Sequence, residues 1–264
     1  MDEVAGSRTF GVAGAAYDSF MGRYSNSLAE RFADAAGVAR GVTAVDVGCG
    51  PGALTGVLVG RLGVDAVCAC DPTPGFVEEC AARYPGIDVK PGRAESIPFE
   101  TGRFDHALAQ LVLHFVSEPD EAAREMARVV HPGGTVAACV WDFDHGMEML
   151  RGFWDAALAI DPEAPDEART LRFGRPGEIA DLWASAGLID IVESTLHVSS
   201  TYASFEELWR GFLAGVGPAG AYCVGLSDDD RARLRTELFR RFDSPSGEFT
   251  LGAVARCAVA HVAA

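Results

Sequence analysis

Residues 45–52 read Val-Asp-Val-Gly-Cys-Gly-Pro-Gly, and the fold turns on what requires three alternating glycines directly behind a short apolar run. In a doubly wound α/β sheet, the turn after the first strand borders the crevice where ligands bind. Glycines there let the main chain approach a ligand with no Cβ in the way. Gly48, Gly50 and Gly52 have that placement, behind the strand-like TAVDV (43–47) and ahead of the helix-like GALTGVLVGRLG (52–63). Two ligands compete for the loop. Gly48-x-Gly50-x-x-Ala53 satisfies the dinucleotide fingerprint, and Asp71 ends the second strand where a ribose-binding acid belongs, so a nicotinamide-dinucleotide oxidoreductase is one reading. Against it, Pro51 has no amide hydrogen, and the turn gives up a donor that a pyrophosphate would use. Asp46 also sets a carboxylate near the ligand, which suits an ammonium or sulfonium better than phosphates.

Outward from the loop, strands and helices alternate. VDAVCACD (64–71), GIDVKPG (86–92), FDHALAQLVLHFV (104–116) and TVAACVWD (135–142) read as strands two to five. The segments between them read as helices, including SEPDEAAREMARVVHPGG (117–134), with Ser117 as its expected cap and Gly133-Gly134 as its end. Five such alternations predict a parallel sheet with helices on both faces. Residues 14–37 read as broken helix, with Leu28, Phe32 and Ala36 at spacing four and Gly37 as a stop. After strand five the pattern changes. Residues 143–186 carry two or three helices joined by the acidic, Pro-rich DPEAPDEA (161–168), a candidate lid. A strand-like IDIVESTLHV (189–198), helices near 204–214 and 227–242, and a long closing strand in GEFTLGAVARCAVAHV (247–262) follow.

Composition narrows the partners. The 264 residues carry a formal net charge of −16, so nucleic acid and anionic membranes are not the expected partners. Lys90 is the only lysine, and no GxxxxGK[ST] surrounds it, which removes nearly every lysine mechanism. The seven cysteines form no CxxC pair, and most sit in apolar runs, as expected of reduced thiols in the cytoplasm. The first residues, MDEVAGSRTF, do not read as a signal peptide, and no apolar run approaches the roughly 18 residues of a membrane span. No His/Cys/Asp/Glu set has metal-ligand spacing, so no metal site is expected.

Four of these segments, VDVGCGPG, Asp71, GRAESIPFE (92–100) and FDHALAQLVLHFV, occur in an order that resembles the class I S-adenosylmethionine-dependent methyltransferases of the ubiquinone/menaquinone-biosynthesis type, over about residues 14–142. The resemblance implies a Rossmann-like, mostly parallel seven-stranded sheet whose last strand is antiparallel beside strand five, with a helical lid inserted after strand five. The whole chain reads as one domain over 1–264, with covering helices in 1–40, a cofactor core in 41–142, the lid in 143–186, and 187–264 completing the sheet. By the same resemblance, Asp46, Gly48, Cys49, Gly50 and Gly52 hold the methionine part of S-adenosylmethionine, and Asp71, with Pro72 beside it, binds the ribose hydroxyls. Ala94 and Glu95 lie beside the adenine, while Gln110 and Leu111 lie near the transferable methyl. Tyr17 and Arg23 of YDSFMGRYS (17–25) reach the cofactor from a covering helix. The product is S-adenosylhomocysteine.

Methyl transfer is an in-line displacement on a carbon already activated by the sulfonium, so the protein mainly aligns the reactants and excludes water. A base is needed only where the acceptor must lose a proton. His114, just past strand four, is the best-placed candidate, and His145 is a weaker one. His106, inside strand four, reads as structural. Trp141, Phe143, Phe153 and Trp154 are candidate walls of a pocket for a small apolar or aromatic acceptor. A protein that binds the cofactor without turnover is a further alternative.

Overall fold

Ala44–Val47 is buried at every position, as a central strand covered on both faces must be. In the computed structural model, which describes residues 18–264, it forms β1 of one seven-stranded sheet. The other strands are β2 (Val67–Asp71), β3 (Asp88–Pro91), β4 (Phe104–Gln110), β5 (Val130–Trp141), β6 (Ile189–Tyr202) and β7 (Phe249–His261), in the order β3-β2-β1-β4-β5-β7-β6. The first five are mutually parallel. β7 runs antiparallel to both β5 and β6, so the expected seven strands and antiparallel last strand are present. The order reverses between β1 and β4, which places a ligand crevice at the carboxyl ends of these strands.

The helices are α1 (Arg23–Ala35), α2 (Ala53–Leu62), α3 (Pro74–Arg83), α4 (Pro119–Val129), α5 (Glu148–Ile160), α6 (Glu167–Thr170), α7 (Glu178–Ser185), α8 (Phe205–Leu213), α9 (Gly217–Gly225) and α10 (Asp228–Arg241). They build a core on each sheet face. One gathers Phe32, Leu58, Trp141, Phe153, Phe212 and Leu234, and the other gathers Phe104, Met126, Val129 and Trp183. Leu28, Phe32 and Ala36 are buried as their spacing requires. Gly37, at φ +68°, ends α1 with the Val38 amide returned to the Ala33 carbonyl.

Three local expectations differ from the structure. Ser117 does not cap α4: Pro119 occupies its first turn behind Glu118, and the Ser117 amide instead donates to Glu95 Oε1 at 3.2 Å. The VHPGG run expected to end that helix belongs to β5. A Cβ at Gly134 would lie 2.7 Å from the Asp105 carbonyl, so glycine lets β5 pass close to β4. Residues 143–186 are not one cover over the crevice, because α7 lies in the second core and the Trp183 indole donates to the Ala258 carbonyl of β7 at 3.2 Å.

Candidate functional site

Where β1 gives way to α2, Gly48, Gly50 and Gly52 all have positive φ, at 73°, 52° and 100°. The Gly48 and Cys49 amides both donate to the Cys70 carbonyl of β2, at 2.8 and 3.0 Å. The Gly50 amide donates to Asp71 Oδ2 at 2.9 Å. The loop is thereby tied to the second strand and its backbone curves around a cavity of about 360 Å³, within the range of small-molecule sites. Asp46, Gly48, Cys49, Gly50, Asp71 and Pro72 line it from one side. Ala94, Glu95, Gln110 and Leu111 line it from the other.

The polar groups of this cavity are under-supplied with partners. Asp71 is 6% exposed, and its Oδ1 accepts from the Thr73 amide at 2.8 Å. Burial raises its carboxyl above the ordinary range despite the Thr73 and Gly50 amides. A carboxylate in that state has lone pairs left for further donors and gains from them. Asp46 is 1% exposed and accepts from Thr55 Oγ1 at 2.6 Å. Burial pushes it up to about 7; the Thr55 hydrogen bond opposes the shift and the nearby Asp71 charge adds to it. Gln110 donates through Nε2 to the Ser25 carbonyl at 3.1 Å, while its buried Oε1 has no partner among the described residues. The cavity therefore offers two desolvated carboxyls and an orphaned amide oxygen, a set suited to a ligand rich in donors and carrying a cation.

Leu111 joins this cavity to a second, narrower cleft of about 40 Å³. Its φ of +61° is uncommon for a branched residue, and its amide is held by the Cys139 carbonyl at 2.8 Å. His114 lines the cleft at 2% exposure, edge-on to Phe115 and Phe143 with ring centroids 4.1 and 5.4 Å away. Its Nδ1 is buried without a partner among the described residues, and burial lowers its pKa to about 3. The imidazole is thus neutral at ordinary pH and a weak proton acceptor, better suited to hydrogen bonding than to the general-base work expected of it.

Several sequence candidates lie elsewhere. Arg23 does not reach the cavity. Its guanidinium bonds Glu207 at 2.6 Å, Ser200 at 2.9 Å and the Thr201 carbonyl, and it stacks 4.2 Å from the Tyr202 ring centroid. Tyr17 lies outside the described residues. Gly52 is not on the cavity wall; a Cβ there would lie 2.7 Å from the Tyr84 ring, so it serves the close packing of α2 on the end of α3. His145 is exposed and His106 is buried inside β4. Trp141 and Phe143 do line the cleft, whereas Phe153 stacks on Phe212 in the core at 4.4 Å. The sequence reading missed Phe76, Arg93 and Val112 on the cavity, and Glu167 and 216–219 on the cleft. Among the described residues no cluster could hold a metal ion, and no helix is long and apolar enough to cross a membrane.

Comparison with known proteins agrees with this geometry. Residues 45–138 match the family model described as a methyltransferase domain. A malonyl-[acyl-carrier protein] O-methyltransferase of Halorhodospira halophila is 27% identical over 195 residues, covering 72% of this chain and 60% of that protein. A demethylmenaquinone methyltransferase of Renibacterium salmoninarum is 35% identical over 112 residues, covering 42% and 46%. The chain thus spans between about a third and three fifths of the length of the curated relatives it matches. Among solved structures, a putative methyltransferase of Bacillus halodurans superposes with a TM-score of 0.59 at 14% identity, over 90% of this chain and 100% of that one, a likeness of fold.

Proposed function

We propose that this chain, which belongs to the class I S-adenosylmethionine-dependent methyltransferases, binds S-adenosylmethionine in the larger cavity and methylates a small molecule in the adjoining cleft. The observation that carries this is the pairing of Asp71 with the glycine loop around a cavity that opens, past Leu111, onto an aromatic cleft. When bound, the cofactor supplies a methyl carbon activated by a sulfonium sulfur. Asp71 takes the two ribose hydroxyls on its remaining lone pairs. Gln110 Oε1 and Asp46 face the methionine ammonium, Ala94 and Glu95 flank the adenine, and the Gly48–Gly50 backbone leaves room for the methionine chain. Leu111 and Phe115, shared by both cavities, exclude water from the line between acceptor and methyl. Orientation of this kind contributes roughly 7–11 kcal/mol to such reactions in favourable cases.

The direct test is incubation with S-adenosylmethionine carrying a labelled methyl group and a panel of small acceptors. Label transferred to a small molecule, with stoichiometric S-adenosylhomocysteine, is the expected result. Binding without transfer to any acceptor would instead leave a cofactor-binding protein without turnover, and binding of a nicotinamide dinucleotide in its place would overturn the reading.

Asp46 gives this reading a pH signature. Its carboxyl, raised from 3.8 to about 7, is mostly protonated in the free protein below that pH. The ligand's ammonium favours the carboxylate, so binding expels a proton, and affinity rises as pH rises toward the free protein's value. S-adenosylhomocysteine should bind about tenfold more tightly at pH 8 than at pH 6, with the gain levelling off above about 7. Asp71, raised in the same direction, adds to the rise. Calorimetry on Asp46→Asn should therefore show a much flatter profile. The same raised group makes the ligand-free fold lose stability as pH climbs from the ordinary carboxylate range through about 7.

A further inference from the structure

The cleft beside Leu111 has a composition that the cofactor reading leaves unexplained. Its walls are Phe20, Phe115, Trp141 and Phe143, with aliphatic contacts from Leu150 and Val216, and Glu167 is the one acidic residue lining it among the described residues. Glu167 is 3% exposed. Its Oε2 accepts from the Trp154 indole at 2.7 Å, and no cation among the described residues pairs with it. The nearby cation is already used: Arg151 bonds Asp166, next in sequence to Glu167, at 3.0 Å and Asp155 at 2.8 Å. An acid buried among aromatic rings with no basic partner costs stability unless it stays protonated or receives a cation. Burial, opposed by the Trp154 hydrogen bond, holds this carboxyl near 7, so both states are within reach. Aromatic faces around a carboxylate are the surroundings that an organic ammonium prefers, since ring quadrupoles and the acid attract the same charge. His114 Nδ1, buried and without a partner among the described residues, can accept a hydrogen bond at the same site.

We propose that the methyl acceptor is a small aliphatic amine, and that Glu167 is the residue that selects it. The proposal rests on the reading that the adjoining cavity holds S-adenosylmethionine. Glu167 holds the ammonium and then takes one of its protons: an N–H bond breaks and an O–H bond forms on the carboxylate. The nitrogen lone pair so freed forms the N–CH3 bond as the C–S bond breaks, and that bond's electron pair passes to sulfur. The product is a methylated ammonium, to which the neutral sites of the cleft give no hold, and Glu167 returns its proton to solvent. The Trp141 ring and His114 Nδ1 orient the amine and take no proton. The narrowness of the cleft favours a compact acceptor.

The test uses ethylamine and ethanol, matched in shape, titrated by calorimetry into the protein saturated with S-adenosylhomocysteine. Ethylammonium should bind at least tenfold more tightly than the alcohol. Glu167→Gln should remove that preference, while Glu167→Asp, which keeps the charge, should retain part of it. The titratable groups facing the bound amine are Glu167 and His114, with Asp166 behind them tied to Arg151. Below about pH 7 the titration should therefore release a proton, read from buffers of different ionisation heat, and Glu167→Gln should lose this release. A purely structural Glu167 would leave the proton count unchanged. Equal binding of the alcohol, undiminished binding of ethylammonium to Glu167→Gln, or no binding of ethylammonium to protein that does bind S-adenosylhomocysteine overturns the proposal. Failure of S-adenosylhomocysteine itself to bind overturns the cofactor reading and this proposal with it.

Discussion

Asp71→Ala should lower the affinity for S-adenosylhomocysteine by about ten- to a hundredfold, since a hydrogen bond to a buried charge is worth ~1.5–3 kcal/mol and each 1.4 kcal/mol is tenfold. The side chain has two tasks that this variant removes together. Its carboxylate takes the Gly50 and Thr73 amides, which holds the glycine loop and the start of α3, and it faces the cavity. Comparing adenosine with 2′-deoxyadenosine separates the tasks. In the unaltered protein the missing hydroxyl should weaken binding. In Asp71→Ala the two nucleosides should bind alike, because the group that discriminates between them is gone. Persistent discrimination in the variant would assign the ribose to another residue and leave Asp71 as a loop anchor alone.

Gly48→Ala should be more damaging than Gly50→Ala. At φ +73° an added Cβ carries the left-handed cost of about 1–2 kcal/mol. It would also lie 2.6 Å from Val112 Cγ2 and 2.9 Å from Cγ1, and overpacking of that kind costs typically 1–3 kcal/mol. Val112 lines the cavity, so its displacement weakens ligand binding as well as the fold. Gly50→Ala serves as the comparison, because Gly50 also has positive φ, at +52°, yet an added Cβ meets nothing within 4 Å. The urea midpoint should fall further for Gly48→Ala than for Gly50→Ala. Adding Val112→Ala to Gly48→Ala should restore the steric part and leave the backbone part. Equal midpoints for the two glycine variants would show that Val112 yields at no cost.

The sheet and the larger cavity were legible in the sequence because both rest on local signals. A buried strand followed by alternating glycines, an acid at the next strand's end and a loop beside Glu95 each declare themselves within a few residues, and the fold brings Asp46, Gly48, Gly50, Asp71, Glu95 and Gln110 to one cavity. What escaped depends on contacts between distant segments. Arg23 sits on a helix that looked like a cofactor cover, but its partners lie at 200, 201 and 207. Glu167 belongs to an acidic stretch that resembles a solvated linker; only the Trp154 indole and the aromatic cleft make it a buried acid. Helix α9 was unforeseen because GPAGAYCVG has low intrinsic helix preference and is held by packing, with Ala219 and Cys223 fully buried against the core. His114 was found by position, while its weakness as a base follows from a burial that no local pattern reveals.

The proposed function rests on the bend between β1 and α2, which together with Asp71 cups a cationic, phosphate-free nucleoside. A crystal grown with S-adenosylhomocysteine addresses this most directly. The ribose hydroxyls should lie within hydrogen-bond distance of Asp71, the methionine chain along Gly48–Gly50 with its ammonium toward Asp46 and Gln110, and the sulfur directed at Leu111. Density for the nucleoside elsewhere, or a ribose that leaves Asp71 untouched, would contradict it.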